Sequence, residues 1–287
     1  MRILVEASRV IFILLGVLCA QAFSAAADEA VTFDSARYLV GDLQQRLARE
    51  RGEPLIRAPA ETIKGYLSRP AGAGPFPAVV YLHGCGGLSE QRRASASEQF
   101  TRWGYVTLAV DSFTTRGIAQ ACLDVPFVYR EADAMGALIY LSKLAFVNRA
   151  RIAVVGYSQG GMAALAVASF HAFDLFEMPA GLKYKAAVAF YPSCSAAEDQ
   201  VTIPTIVFIG ELDDWSSVKR CEGWMLRRAG KGAPVKLVVY PEAYHSFDNP
   251  ELRIAVRYFG HWLKYDADAT KRSTAEMRDF LARHLGP

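Results

Sequence analysis

Residues 151–161 read Arg-Ile-Ala-Val-Val-Gly-Tyr-Ser-Gln-Gly-Gly, with Ser158 set between Gly156 and Gly160. An apolar strand runs into this turn, and a helix of small residues follows at 162–168. A serine so placed sits on a tight elbow with its hydroxyl raised above the strand ends, the position of a nucleophile in acyl transfer. Glycines two positions either side are required because a Cβ would collide where strand and helix approach. The helix start aims free amides and the positive end of its dipole at the reacting oxygen. A bare Gly-x-Ser-x-Gly string arises by chance in many chains; the strand before it and the helix after it make the chemical reading specific here.

A serine hydroxyl is a poor nucleophile at neutral pH, so an imidazole must take its proton. His245 lies in the loop Pro241-Glu-Ala-Tyr-His-Ser-Phe247, just past an apolar strand. His261 falls in an apolar pattern beside Trp262, and His284 sits three residues from the C-terminus. Gly210-Glu-Leu-Asp-Asp214 offers the acid. Asp213 is chosen to orient the imidazole; Asp214 is read as the cap of a helix starting near Ser216 or Ser217, and Glu211 is the remaining carboxylate. Tyr81-Leu-His-Gly-Cys-Gly-Gly87 closes an early strand with a loop whose amides can face an oxyanion. The donors are assigned to the backbone N–H groups of Gln159 and Cys85, with Gly86 the alternative to Cys85. His83 is read as a brace for this loop.

These groups must be positioned by an alternating framework. Residues 78–82, 106–110, 152–155, 186–190, 206–209 and 235–239 are short apolar runs of the kind covered on both faces of a parallel sheet. Residues 90–103, 129–146, 160–170, 218–229 and 251–264 read as helices between and after them, Glu131, Ala134, Leu138 and Leu141 keeping the spacing of one buried face. Such alternation predicts a doubly wound α/β sheet. Residues 62–68 are expected as an antiparallel edge strand, 70–77 as a turn, and 33–51 as an amphipathic helix packed on the body. No internal repeat and no second core appear, so residues 28–287 are read as one domain.

Residues 1–27 differ. Arg2 and Arg9 flank a start that is wholly apolar over 10–18 and ends in Ala25-Ala26-Ala27, the pattern of a secretory signal peptide with Asp28 as first mature residue. The apolar run is too short to span about 30 Å of hydrocarbon, so no stable membrane anchor is expected after cleavage. Leu18 before Cys19 also disfavours a lipid anchor. The chain is therefore read as exported, to the periplasm or beyond. Cys85, Cys122, Cys194 and Cys221 remain, and an oxidising compartment suggests two disulfides among three pairings. A net charge of +3 without like-charge runs argues against nucleic acid as a partner. No metal set is visible, since the histidines are scattered and the cysteines lack zinc spacing.

Taken together, His83-Gly-Cys-Gly-Gly87, Asp111-Ser-Phe113, Gly156-Tyr-Ser-Gln-Gly160, Gly210-Glu-Leu-Asp-Asp214 and Tyr244-His-Ser-Phe247 resemble the dienelactone hydrolase family, over roughly residues 75–259. The resemblance implies an α/β-hydrolase fold, a mainly parallel central sheet with helices on both faces, an unassisted triad and no cofactor. It departs at one point: the dienelactone-cleaving members use a cysteine nucleophile, and this chain has Ser158. That leaves a small-molecule carboxylic ester or lactone as the implied substrate. The architecture so implied puts Cys85 and Cys122 after neighbouring strands, and likewise Cys194 and Cys221, which gives the expected pairings.

Residues 191–204 are too few for a large cap domain, so the site is expected to be open. Tyr157, Trp215 and Tyr244 are candidate substrate contacts, with Tyr191 and Phe247 also at loop positions where a wall residue and a core residue look alike. Arg116 is open to two readings, a substrate carboxylate or an ion pair. The rival functions are a peptidase or thioesterase on the same fold and a non-catalytic binding protein that retains it.

Overall fold

The structure is a computed structural model, which describes residues 28–55, 57, 59–123, 128–169, 171–195 and 197–286. The secretory leader expected at 1–27 lies outside the described residues.

The described residues form an eight-stranded sheet of order β1-β2-β4-β3-β5-β6-β7-β8. The strands are β1 (Glu29–Asp34), β2 (Thr62–Ser68), β3 (Phe76–Leu82), β4 (Val106–Asp111), β5 (Val147–Tyr157), β6 (Ala186–Phe190), β7 (Thr205–Gly210) and β8 (Val235–Tyr240). From β4 through β8 every neighbouring pair is parallel, while β1–β2 and β2–β4 are antiparallel. Every residue of β4, β6 and β7 is buried. Side chains of a strand alternate between faces, so complete burial means that both faces are covered. The main helices are α1 (Asp42–Arg51), α2 (Glu90–Arg102), α3 (Arg130–Ser142), α4 (Gln159–Ala168), the single turn α5 (Ala172–Leu175), α6 (Val218–Arg227) and α7 (Ala267–Leu285). This is the mainly parallel α/β arrangement expected.

Three expectations are corrected. β2 is antiparallel but is not at the edge, because β1 pairs with it along its length. The segment expected as one helix over 33–51 divides: Phe33 and Asp34 end β1, and only Asp42–Arg51 is helical, with no buried residue. Residues 251–264 are not a helix. They form a turn of 3-10 helix (Pro250–Leu252) and then a hairpin of β9 (Val256–Tyr258) and β10 (His261–Leu263). The hairpin turns on Phe259 and Gly260, at φ 49° and 88°. Two successive positive φ values suit a two-residue hairpin loop and break a helix. The helix lies further on as α7, where the Asp266 side chain caps the start by accepting from the Ala269 N–H at 2.8 Å.

Candidate active site

β5 delivers Ser158 at the middle of the strand ends. Its backbone is at φ 53° and ψ −116°, a conformation costly for a residue with a Cβ, and α4 begins at the next residue. Close backbone contact imposes this turn. A Cβ on Gly156 would come 2.0 Å from the Gly160 carbonyl oxygen, and one on Gly160 would come 2.3 Å from that of Leu82. The second contact seats the elbow on the end of β3, where the glycine loop starts.

His245 follows β8 and is buried, with its Nε2 3.0 Å from Ser158 Oγ. Its Nδ1 lies 2.8 Å from Asp213 Oδ2. The other carboxylate oxygen of Asp213 accepts from the Trp215 and Ser216 N–H groups at 3.0 and 2.8 Å. Asp213 is thus held by its own loop, and the three side chains form one hydrogen-bonded line. Asp214 does not cap α6, which starts after Ser217. It accepts from the Trp262 N–H at 3.2 Å and sits 3.4 Å from His261 Nδ1. Glu211 accepts from the Glu242 N–H.

The glycine loop faces Ser158 from the end of β3. Cys85 lies in it and is bonded to Cys122, and the Ala121 N–H donates to the Cys85 carbonyl at 2.7 Å. The second disulfide joins Cys194, after β6, to Cys221 in α6. Gln159, first residue of α4, has its side chain between the Arg130 guanidinium at 3.3 Å and the Ala121 carbonyl at 3.4 Å. Arg130 is buried, with Nε and Nη2 lacking hydrogen-bond partners among the described residues, and burial lowers its pKa to about 10. His83 is buried behind the loop. Its Nδ1 is 2.6 Å from the Gly84 carbonyl, and its Nε2 accepts from the Ser112 N–H. Burial, then the Arg130 charge, depress its pKa well below the imidazole range, so it braces the loop as a neutral ring.

A cavity of about 290 Å³ opens over these groups. Gly84–Gly87 and Cys122 line one side; Tyr157, Tyr191, Trp215, Val256 and Tyr258 are among the residues that line the rest. Trp215 packs on the His245 ring at 5.1 Å, and Tyr191 does so at 4.6 Å. Tyr191 also donates to Asp248 at 2.6 Å. Burial raises the pKa of both Tyr157 and Tyr191 well above the phenol range, so both remain neutral. Tyr244 stands outside the cavity wall, because its neighbour His245 is the residue turned toward Ser158. Phe247 belongs to the core, packed on Tyr240, Tyr191 and Phe190. Arg116 is bound to Asp133 and Glu61, the ion-pair reading. The sequence reading missed the wall supplied by Val256, Tyr258 and Leu263, whose one local signal was Gly260 in the middle of an apolar run.

With this geometry in place, comparison with known proteins is decisive about ancestry. The model of the dienelactone hydrolase family matches residues 63–285. The chain belongs to the dienelactone hydrolase family. A Bradyrhizobium protein described as a 2-oxo-3-(5-oxofuran-2-ylidene)propanoate lactonase is 26% identical over 200 residues, covering 65% of this chain and 79% of that protein. Among solved structures, a Klebsiella pneumoniae protein described as a dienelactone hydrolase superposes with TM-score 0.60 at 18% identity, covering 89% of this chain and 99% of that one. A thermophilic esterase from Thermogutta terrifontis, with propionate bound, gives TM-score 0.58 at 21% identity, over 79% and 90% of the two chains. Membership of this family makes the chain a hydrolase of the ester and lactone class, with small-molecule substrates.

Proposed function

We propose that this family member cleaves carboxylic esters or lactones through an acyl-enzyme on Ser158, with His245 as general base and acid and Asp213 orienting it. One observation carries the reading: the continuous line from buried Asp213 through His245 to Ser158, at 2.8 and 3.0 Å. Asp213 accepts the Nδ1 proton of the neutral imidazole and so leaves Nε2 free to accept from the serine hydroxyl. As Ser158 Oγ attacks the acyl carbon, its proton passes to His245. The carbonyl oxygen becomes an oxyanion, which takes hydrogen bonds from the Gln159 and Cys85 amides. The acyl C–O bond then breaks, and the His245 proton goes to the leaving oxygen. Water attacks the acyl-enzyme as His245 takes one of its protons, and the returning proton frees Ser158.

The relatives described as a lactonase and as an esterase agree with this class. Phenyl acetate is the test substrate. Ser158→Ala is expected to lower kcat by at least about 10³-fold, and intact-mass spectra of quenched wild-type protein should gain one acetyl group that the variant never gains. Equal turnover by the two proteins would remove the proposal.

We also propose export, with cleavage after Ala27. The apolar leader and the two disulfides support it. Amino-terminal sequencing of the exported protein should begin at Asp28; an intact Met1 would contradict this.

A further inference from the structure

The β9–β10 hairpin is inserted between the base and the last helix, and it is attached to the machinery at several points. Leu263 pairs with His245 as an isolated parallel bridge. His261 stacks on Trp215 at 4.9 Å with 17° between the rings, and Trp215 in turn packs on His245 at 5.1 Å. Asp214 holds both the His261 ring and the Trp262 N–H. The chain beyond returns to the core through the Tyr265 and Asp266 amides, which donate to the Leu252 and Phe247 carbonyls. So fastened, the hairpin turns Val256, Tyr258 and Leu263 into the cavity. Val256 and Tyr258 remain 40% and 41% exposed, an apolar cost left to solvent at the mouth of a reactive site.

The direction of proton transfer says which half of a substrate meets this wall. His245 must hand its proton to the leaving oxygen, so the alcohol half lies on the imidazole's side. The acyl oxygen turns toward the glycine loop. Trp215, Val256 and Tyr258 cluster on the imidazole's side, with Tyr258 6.1 Å from Trp215. From this arrangement, and resting on the serine-hydrolase reading above, we propose that the hairpin forms the alcohol-side pocket and that Val256 and Tyr258 select esters whose leaving alcohol carries a flat apolar group.

Three esters separate the halves: ethyl acetate, benzyl acetate and ethyl phenylacetate, followed by acid release at constant pH. The first two share an acyl group and have leaving alcohols of similar basicity, while the third moves the ring to the acyl half. For Tyr258→Ala and for Val256→Ala/Tyr258→Ala, kcat/KM on benzyl acetate should fall about tenfold or more, the scale of lost apolar contact in a pocket. Ethyl acetate and ethyl phenylacetate should stay within about twofold, and Tyr258→Phe should restore benzyl acetate. Unchanged melting temperatures will show that the variants fold. An equal fall on all three esters, a greater fall on ethyl phenylacetate, or no fall on benzyl acetate overturns the assignment. Such outcomes leave the serine reading intact as long as Ser158→Ala is inert; a wild-type protein that turns over none of the three overturns the assignment, and one that also fails on phenyl acetate overturns both.

Discussion

Two regions meet at the 3.0 Å contact between Ser158 and His245, and they are held by different means. On the serine's side, backbone rests on backbone: Gly156 against Gly160, and Gly160 against the end of β3. No rotamer can relieve such a contact. On the imidazole's side, side chains do the holding, with Asp213 on Nδ1 and Trp215 packed on both His245 and His261. The hairpin beyond them contacts solvent. One side therefore fixes where Ser158 stands, and the other is layered, so that its outermost layer can vary while the innermost keeps its geometry.

The largest expected effect lies within the layered side. Asp213→Asn should lower kcat on phenyl acetate by about 10⁴-fold, since the amide favours the wrong imidazole tautomer. Asp214→Asn, one residue on and half-exposed, should stay within about threefold because the amide oxygen still accepts from the Trp262 N–H and only a surface contact with His261 changes. Comparable losses for the two would erase the distinction between inner and outer layers. Next comes the rigid side. Gly160→Ala should reduce kcat/KM by about a hundredfold, as a displacement approaching 1 Å at the elbow does, and lower the melting temperature. Phe259→Gly at the hairpin tip relieves a positive φ and should leave both within error. Full activity in Gly160→Ala would show that the elbow yields after all.

The smallest effect is one of pH. His83 is buried under the glycine loop with its pKa depressed, whereas in the unfolded chain it titrates near 6.5. Below that value the unfolded state binds the extra proton, so stability is present in full above pH 6.5 and is lost as pH falls toward the depressed value. The slope is about 1.4 kcal/mol per pH unit. Urea titrations of His83→Asn and wild type between pH 6.5 and 5 should differ in slope by that amount; parallel curves would count against a neutral His83 in the native state.

The rigid side was the more legible one. Glycines at 156 and 160, an apolar strand and a small-residue helix state a close approach in local sequence, and the structure has that approach. The positions of Asp213 and His245 just past two strands were readable, and the structure brings the two within hydrogen-bond reach of each other. The layered side was misread where packing outranks pattern. Strands of three residues are too short to show alternation, and Ile254, Tyr258 and Trp262 mimic a helical spacing. Tyr244 was assigned to the pocket by its adjacency to His245, while Tyr258 reaches the pocket by folding back from thirteen residues past His245. β1 went unseen because its residues alternate weakly at an exposed edge.

The Cys85–Cys122 bond clamps the glycine loop, to which the proposed mechanism gives an oxyanion donor, across a separation of 37 residues. On the proposed mechanism, oxidation is expected to arm the catalyst. While both sulfurs are still thiols, as in the reducing interior where a chain is synthesised, the loop lacks its fastener and esters nearby are expected to be spared. Turnover by reduced, thiol-blocked protein should accordingly lag behind that of the bridged form, so that the catalyst gains force where electrons have been taken from it.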